Sequence, residues 1–84
     1  MPARRSVFPG FQEISDRRHR LVEELVSARL ELGLSQTEVA AQMGTSQSAV
    51  ARLEAGEADM RLSTLQRYAQ AVGRQVNWQL EERR

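Results

Sequence analysis

The most specific structural signals of this chain lie between Leu34 and Gly56, LSQTEVAAQMGTSQSAVARLEAG. Ser35 and Glu38 stand three residues apart, the spacing of a capping box. In such a box the serine hydroxyl accepts from the glutamate amide and the glutamate carboxylate accepts from the serine amide. The box predicts a helix from Gln36 to Met43. Gly44 ends it, because glycine adopts the left-handed conformation at little cost.

A second short helix follows immediately. Ser46 is a favourable N-cap residue and predicts a helix from Gln47 to Ala55, which Gly56 ends. Only Gly44-Thr45-Ser46 separates the two helices. Two short helices joined by so tight a turn, the second one beginning with small polar side chains, are typical of a helix-turn-helix.

Upstream, residues 11–32 follow a helical period. Their apolar side chains recur at spacings of three and four and predict one buried stripe, made of Leu21, Val22, Leu25, Val26, Ala28 and Leu32. Gly33 is the expected stop. The two helices of the turn motif are expected to bury Val39, Ala40, Met43, Val50 and Leu53.

Downstream, Ser63-Thr64-Leu65-Gln66 has the pattern of a second capping box. It predicts a last helix that continues to Gly73 and buries Leu65, Tyr68, Ala69 and Val72. We therefore expect an all-α helical domain over residues 11–73.

The two ends of the chain differ from this domain. Residues 1–10 contain two prolines and show no period, which predicts a flexible arm. Residues 74–84 alternate polar and apolar side chains and end in a charged tail, which predicts a short strand presenting Val76, Trp78 and Leu80 on one side. Because a single strand cannot satisfy its ladder hydrogen bonds, we expect it to pair with the same strand of a second copy. The alternative is an extended tail that packs Trp78 onto its own core.

Composition excludes several classes of function. The 84 residues include no cysteine and one histidine, which excludes a thiolate metal site, a disulfide framework and a thiol nucleophile. No nucleophile–base pair or glycine-rich phosphate loop is evident, so we expect no enzyme activity, no cofactor and no metal. No apolar stretch reaches the ~18 residues that span a bilayer, and the N-terminus lacks a secretory apolar block, so we expect a cytoplasmic protein.

The net charge of +1 is weak support for nucleic-acid binding, but all 12 basic residues are arginine. The side chains at the start of the second short helix are of types that can form hydrogen bonds with DNA bases. Gln47 can bridge N6 and N7 of adenine, Ser48 can meet several base edges, and Arg52 can donate two hydrogen bonds to guanine. Ala51 leaves room for the groove floor or a thymine methyl. The alternatives are that Gln47 and Ser48 only cap the helix and that Arg52 pairs with a nearby acid such as Glu57.

Residues Leu34 to Gly56 resemble the helix-turn-helix of the Xre family, which includes phage lambda-type repressors. The likeness extends over about Leu21 to Gly73 and implies a lambda-repressor-like fold. It implies that Gln36 holds a DNA phosphate and braces Gln47, the alternative for Gln36 being a solvated first-turn residue. It also implies a structural ion pair between Arg29 and Glu54. We expect further phosphate contacts, which position a protein without specifying sequence, from three residues: Thr45, Ser46 and Arg61.

An Xre-type domain followed by a terminal strand resembles the DNA-binding antitoxins of the Hip and Hig types. The resemblance implies a repressor that binds double-stranded DNA as a homodimer and holds a toxin protein. Its two recognition helices would lie about 34 Å apart and read an inverted repeat. The alternatives are a stand-alone transcriptional regulator without a toxin, and a protein–protein adaptor that binds no DNA.

Overall fold

The computed structural model describes residues 9–57 and 61–77, with side chains from residue 17 onward. Four helices follow one another in these ranges: α1 (Pro9–Glu31), α2 (Gln36–Met43), α3 (Gln47–Glu54) and α4 (Leu62–Ala71). The expected all-helical class is confirmed for this part of the chain, and the bounds of α2 are those predicted.

Local hydrogen bonds explain the ends of α2 and α3. The Ser35 side chain accepts from the Glu38 amide at 3.0 Å and the Ser35 amide donates to the Glu38 carboxylate at 2.8 Å. This predicted capping box is therefore present, and its hydrogen bonds lower the pKa of Glu38. Gly44 has φ 73° and closes α2, while the Ser46 hydroxyl accepts from the Ala49 amide at 3.1 Å and starts α3.

The core lies where the four helices meet. α3 packs against α1 and α2, and α4 packs against α2. Four side chains of this core are almost completely buried: Val39, Val50, Leu65 and Tyr68. Full burial of an apolar side chain of this size stabilises a fold by about 1.5–3 kcal/mol. The predicted core residues of α2, α3 and α4 are all buried: Val39, Ala40, Met43, Val50, Leu53, Leu65, Tyr68, Ala69 and Val72.

Two local predictions were wrong. Leu32 is 58% exposed, because α1 ends at Glu31 and the following turn takes Leu32 off the helical stripe. The second capping box is absent, since α4 starts at Leu62 with extended Arg61 as its N-cap and no side-chain cap. Ser63 thus lies inside the first turn instead of before it.

Both ends of the domain differ from the expected boundaries. α1 begins at Pro9, two residues before the expected start, so the proposed arm shortens to residues 1–8, which lie outside the described residues. At the other end, residues 74–77 have no strand conformation, and Val76 is half-buried against the core of its own chain. Trp78 and Leu80 also lie outside the described residues. In residues 9–57 and 61–77 no helix is both long and apolar enough to cross a membrane.

Candidate nucleic-acid interface

The first residues of α2 and α3 meet at the surface. Gln36 opens α2 and Gln47 opens α3, and the Gln47 Nε2 donates to the Gln36 Oε1 at 2.6 Å. Gln36 is half-buried, whereas Gln47 is exposed. Because an α-helix carries a partial positive charge at its N-terminus, two such ends side by side favour a negatively charged ligand.

Side chains with hydrogen-bonding tips surround this contact. Thr45, Ser46 and Ser48 are exposed at the turn and at the start of α3, and the Ser46 and Ser48 hydroxyls lie 3.2 Å apart. Arg52 is also exposed, one turn further along α3, with half-buried Ala51 beside it. The side chains predicted to read bases therefore share one accessible face next to the start of α2.

A half-buried carboxylate holds this face to the core. Glu54, at the end of α3, accepts from Arg29 Nε at 2.8 Å and from Arg29 NH2 at 3.0 Å. Gln36 Nε2 donates to Glu54 at 2.9 Å and the Tyr68 hydroxyl donates to it at 2.5 Å. Arg29 also donates to the Leu34 carbonyl at 2.9 Å. The implied Arg29–Glu54 ion pair is present in the structure. Together with Gln36 and Tyr68 it forms a cluster that joins residues of all four helices.

The pKa values of this cluster follow from those contacts. Burial works to raise the pKa of Glu54, but hydrogen bonds from Arg29, Tyr68 and Gln36 outweigh it and lower the pKa below its ordinary value. Burial and the neighbouring carboxylate raise the pKa of Tyr68. The hydrogen bond to Glu54 raises the pKa of Arg29, against its burial. At neutral pH the cluster therefore contains a carboxylate, a guanidinium and a neutral phenol.

A basic groove lies next to the turn, between α3 and α4. This open groove of 480 Å³ has three arginines on its walls: Arg52, Arg61 and Arg67. Within residues 9–57 and 61–77, none of the three forms an ion pair, so Arg52 does not pair with Glu57 there. Thr45 also lines the groove. Three guanidinium groups around one groove suit a chain of phosphates, because each presents a planar fork of donors.

Sequence reasoning missed two members of the Glu54 cluster. Tyr68 was predicted as a core residue, which it is, but not as a donor to Glu54. The hydrogen bond from Gln36 to the same carboxylate was missed as well. Both partners lie far from Glu54 in sequence, on other helices. One signal could have indicated the Tyr68 hydrogen bond: a tyrosine predicted to be buried needs a hydrogen-bond partner for its hydroxyl.

The chain matches the family model HTH_3, described as helix-turn-helix, over residues 25–79. This range covers more than half of the chain and includes α2, α3 and α4 entirely. The chain therefore belongs to the Xre-type helix-turn-helix family, a class of DNA-binding regulators, and the resemblance drawn from the sequence is confirmed.

Two curated relatives are informative. The chain is 42% identical over 74 residues to antitoxin HigA1 of Mycobacterium tuberculosis, an alignment that covers 88% of this chain and 50% of HigA1. It is 32% identical over 63 residues to an uncharacterized HTH-type transcriptional regulator of Haemophilus influenzae, covering 75% of this chain and 64% of the relative. The chain thus spans about half the length of the HigA1 proteins it matches. No solved structure matches the chain significantly.

Proposed function

We propose that the chain is a sequence-specific DNA-binding repressor, which acts as a homodimer on an inverted-repeat operator and is the antitoxin of a toxin–antitoxin pair. The observation that carries the proposal is the exposed face of α3 that presents Gln47, Ser48 and Arg52, with Gln47 bonded to the first residue of α2. α3 enters the major groove in this proposal, with these three side chains and Ala51 on the base edges.

Phosphate contacts fix the position of α3 on the duplex. The exposed Thr45 and Ser46 lie at the turn, and Arg61 opens α4 beside the basic groove. Gln36, bonded to Gln47, contributes a further contact through its backbone amide at the start of α2, since its side chain is already engaged. These contacts supply affinity that depends on salt, whereas the α3 side chains supply the choice of sequence.

A selection from random DNA duplexes with the purified chain tests the central claim. We expect enrichment of an inverted repeat with half-sites about one helical turn apart. Gln47→Ala should remove the preference at one base pair of each half-site. Gln42→Ala is the matched control, because Gln42 is exposed on α2 but lies six residues beyond Gln36 on a different face of the helix. If no sequence is enriched at any salt concentration, the chain is an adaptor.

The dimer is proposed to form through the C-terminal segment, residues 74–84, by way of Trp78 and Leu80. Val76 is partly buried against the core of its own chain, so a truncation that keeps it tests association without disturbing the domain. A chain ended after Asn77 lacks Trp78 and Leu80 and should be a folded monomer with sharply weaker operator binding. Equal binding by the truncated and intact chains would remove this segment from the proposal.

The antitoxin role rests on the identity to HigA1. It predicts that a gene next to this one encodes a toxin. Expression of that neighbour alone should stop growth, and co-expression of this chain should restore it. A harmless neighbour would favour the second candidate, a stand-alone transcriptional regulator, which the name of the Haemophilus influenzae relative supports.

A further inference from the structure

The hydrogen bonds that connect Glu54 to Gln47 run in one direction. Gln36 donates its Nε2 to Glu54 Oε1 at 2.9 Å, and Gln36 Oε1 accepts from Gln47 Nε2 at 2.6 Å. The chain of donors thus starts at the exposed Gln47 and ends at the half-buried Glu54.

The chemistry of Glu54 fixes this direction. An ionised carboxylate only accepts hydrogen bonds and has about four lone-pair positions. Both oxygens of Glu54 accept twice: Oε2 from Arg29 Nε and Tyr68, and Oε1 from Arg29 NH2 and Gln36. If the Gln36 amide were reversed, its Oε1 would face a carboxylate oxygen, which repels it. Gln36 must therefore present its Oε1 acceptor to Gln47, and Gln47 must donate an N–H to it.

This arrangement leaves Gln47 with a defined outward pattern. One of its two Nε2 hydrogens is used on Gln36, so one N–H donor and the Oε1 acceptor remain. In the major groove, adenine presents one acceptor, N7, and one donor, N6, whereas guanine presents two acceptors. The remaining groups of Gln47 match adenine and satisfy only one of the two guanine positions.

We propose that Glu54 is a specificity-determining positioning residue, which acts through Gln36 to orient the Gln47 amide so that it reads adenine and rejects guanine. The inference rests on the proposed base contact of Gln47. Glu54 would then affect which DNA sequence is bound, in addition to stabilising the fold through its ion pair with Arg29.

Two substitutions at Gln36 distinguish the effect of hydrogen-bond direction from that of mere contact between residue 36 and Gln47. Gln36→Lys keeps a donor for Glu54 but offers only donors to Gln47, which must then accept through Oε1 and turn both N–H groups outward. Gln36→Met has similar length and imposes no direction. The measurement is the adenine-to-guanine affinity ratio at the base pair whose preference Gln47→Ala removes. This ratio is insensitive to the added lysine charge, which strengthens binding to both duplexes equally.

For the unaltered chain we expect a ratio on the order of 5- to 150-fold in favour of adenine. Gln36→Met should lower the ratio, and Gln36→Lys should invert it toward guanine. Tyr68→Phe, which removes a donor to Glu54 without changing the direction of the chain, should leave the ratio within about twofold of the unaltered chain.

The inference is overturned if Gln36→Lys and Gln36→Met give the same ratio, or if Tyr68→Phe changes the ratio as much as Gln36→Lys does. A selection in which an operator is enriched but no base pair responds to Gln47→Ala overturns both the base contact and the inference. A selection that enriches nothing overturns the proposed function itself.

Discussion

The single tyrosine should control the stability of the domain in alkaline solution. Tyr68 is fully buried and its hydroxyl donates to Glu54, and burial raises its pKa. The sequence has no cysteine and no lysine. Since the α-amino group titrates near pH 8 and arginine above pH 12, Tyr68 is the one side chain that loses a proton between pH 9 and 12 in the unfolded chain.

The sign and size of the effect follow from linkage. The unfolded chain releases the phenolic proton at a pKa of about 10, whereas the folded chain keeps it, so the unfolded state gains stability as the pH rises. The contribution of Tyr68 is complete below pH 10 and decreases above it. Above pH 10 the free energy of unfolding should therefore fall by up to about 1.4 kcal/mol per pH unit.

Urea denaturation followed by far-ultraviolet circular dichroism at pH 7 to 12 measures this loss. Tyr68→Phe is the comparison, because it lacks the titrating hydroxyl. It should be less stable at pH 7 by about 1.5–3 kcal/mol, the usual cost of losing a hydrogen bond to a charged group. Above pH 9 its stability should stay nearly constant, so that the two curves approach each other by pH 12. Parallel curves would mean that the alkaline loss of stability does not come from the Tyr68 hydroxyl.

Four further substitutions test other parts of the structure. Glu54→Gln should cost about 3 kcal/mol, because it leaves the Arg29 charge without a partner in a site where its side chain is 11% exposed. Glu31→Gln, in an ion pair whose side chains are 58% and 69% exposed, should cost under about 1 kcal/mol; equal losses in urea denaturation would contradict the role given to burial. Gly44→Ala should cost about 1–2 kcal/mol from the left-handed backbone alone, because φ is 73° and no atom lies within 4 Å of the added carbon. A loss much larger than this would mean that the turn has to move. Arg61→Gln should weaken operator binding by a similar factor for all sequences and reduce the salt dependence of log K by about one charge; a change confined to one base pair would make Arg61 a base contact.

Much of the fold was predictable because the signals were local. The Ser35–Glu38 box and Gly44 fix the two ends of α2, which is eight residues long. The apolar period identifies the buried side of each short helix. Local signals failed at α4, where the Ser63 pattern predicts a cap although the helix starts before it at Leu62. A capping pattern states that a helix start is possible there, but the packing of the whole helix decides where the start falls.

The site was predictable to a lesser degree. The residue types at the start of α3 and the family resemblance identified the exposed face, and the resemblance also implied the Arg29–Glu54 pair. The hydrogen bonds of Tyr68 and Gln36 to Glu54 depend on how α2, α3 and α4 cross, which no spacing within one helix encodes. The groove between α3 and α4 could not be foreseen for the same reason, since Arg52 and Arg67 come together only in the packed domain.

The unequal anchoring of the α3 side chains bears on how new operators are acquired. Arg52 forms no ion pair within the described part of the chain, so replacing it should leave the fold intact and, under the proposed function, change only the base that is recognised. Gln47 is bonded through Gln36 to the core, so a substitution there disturbs its neighbours as well. Under the proposed function, divergence among descendants of this domain should therefore begin at the base pair assigned to Arg52, while the base pair assigned to Gln47 stays the same for longer.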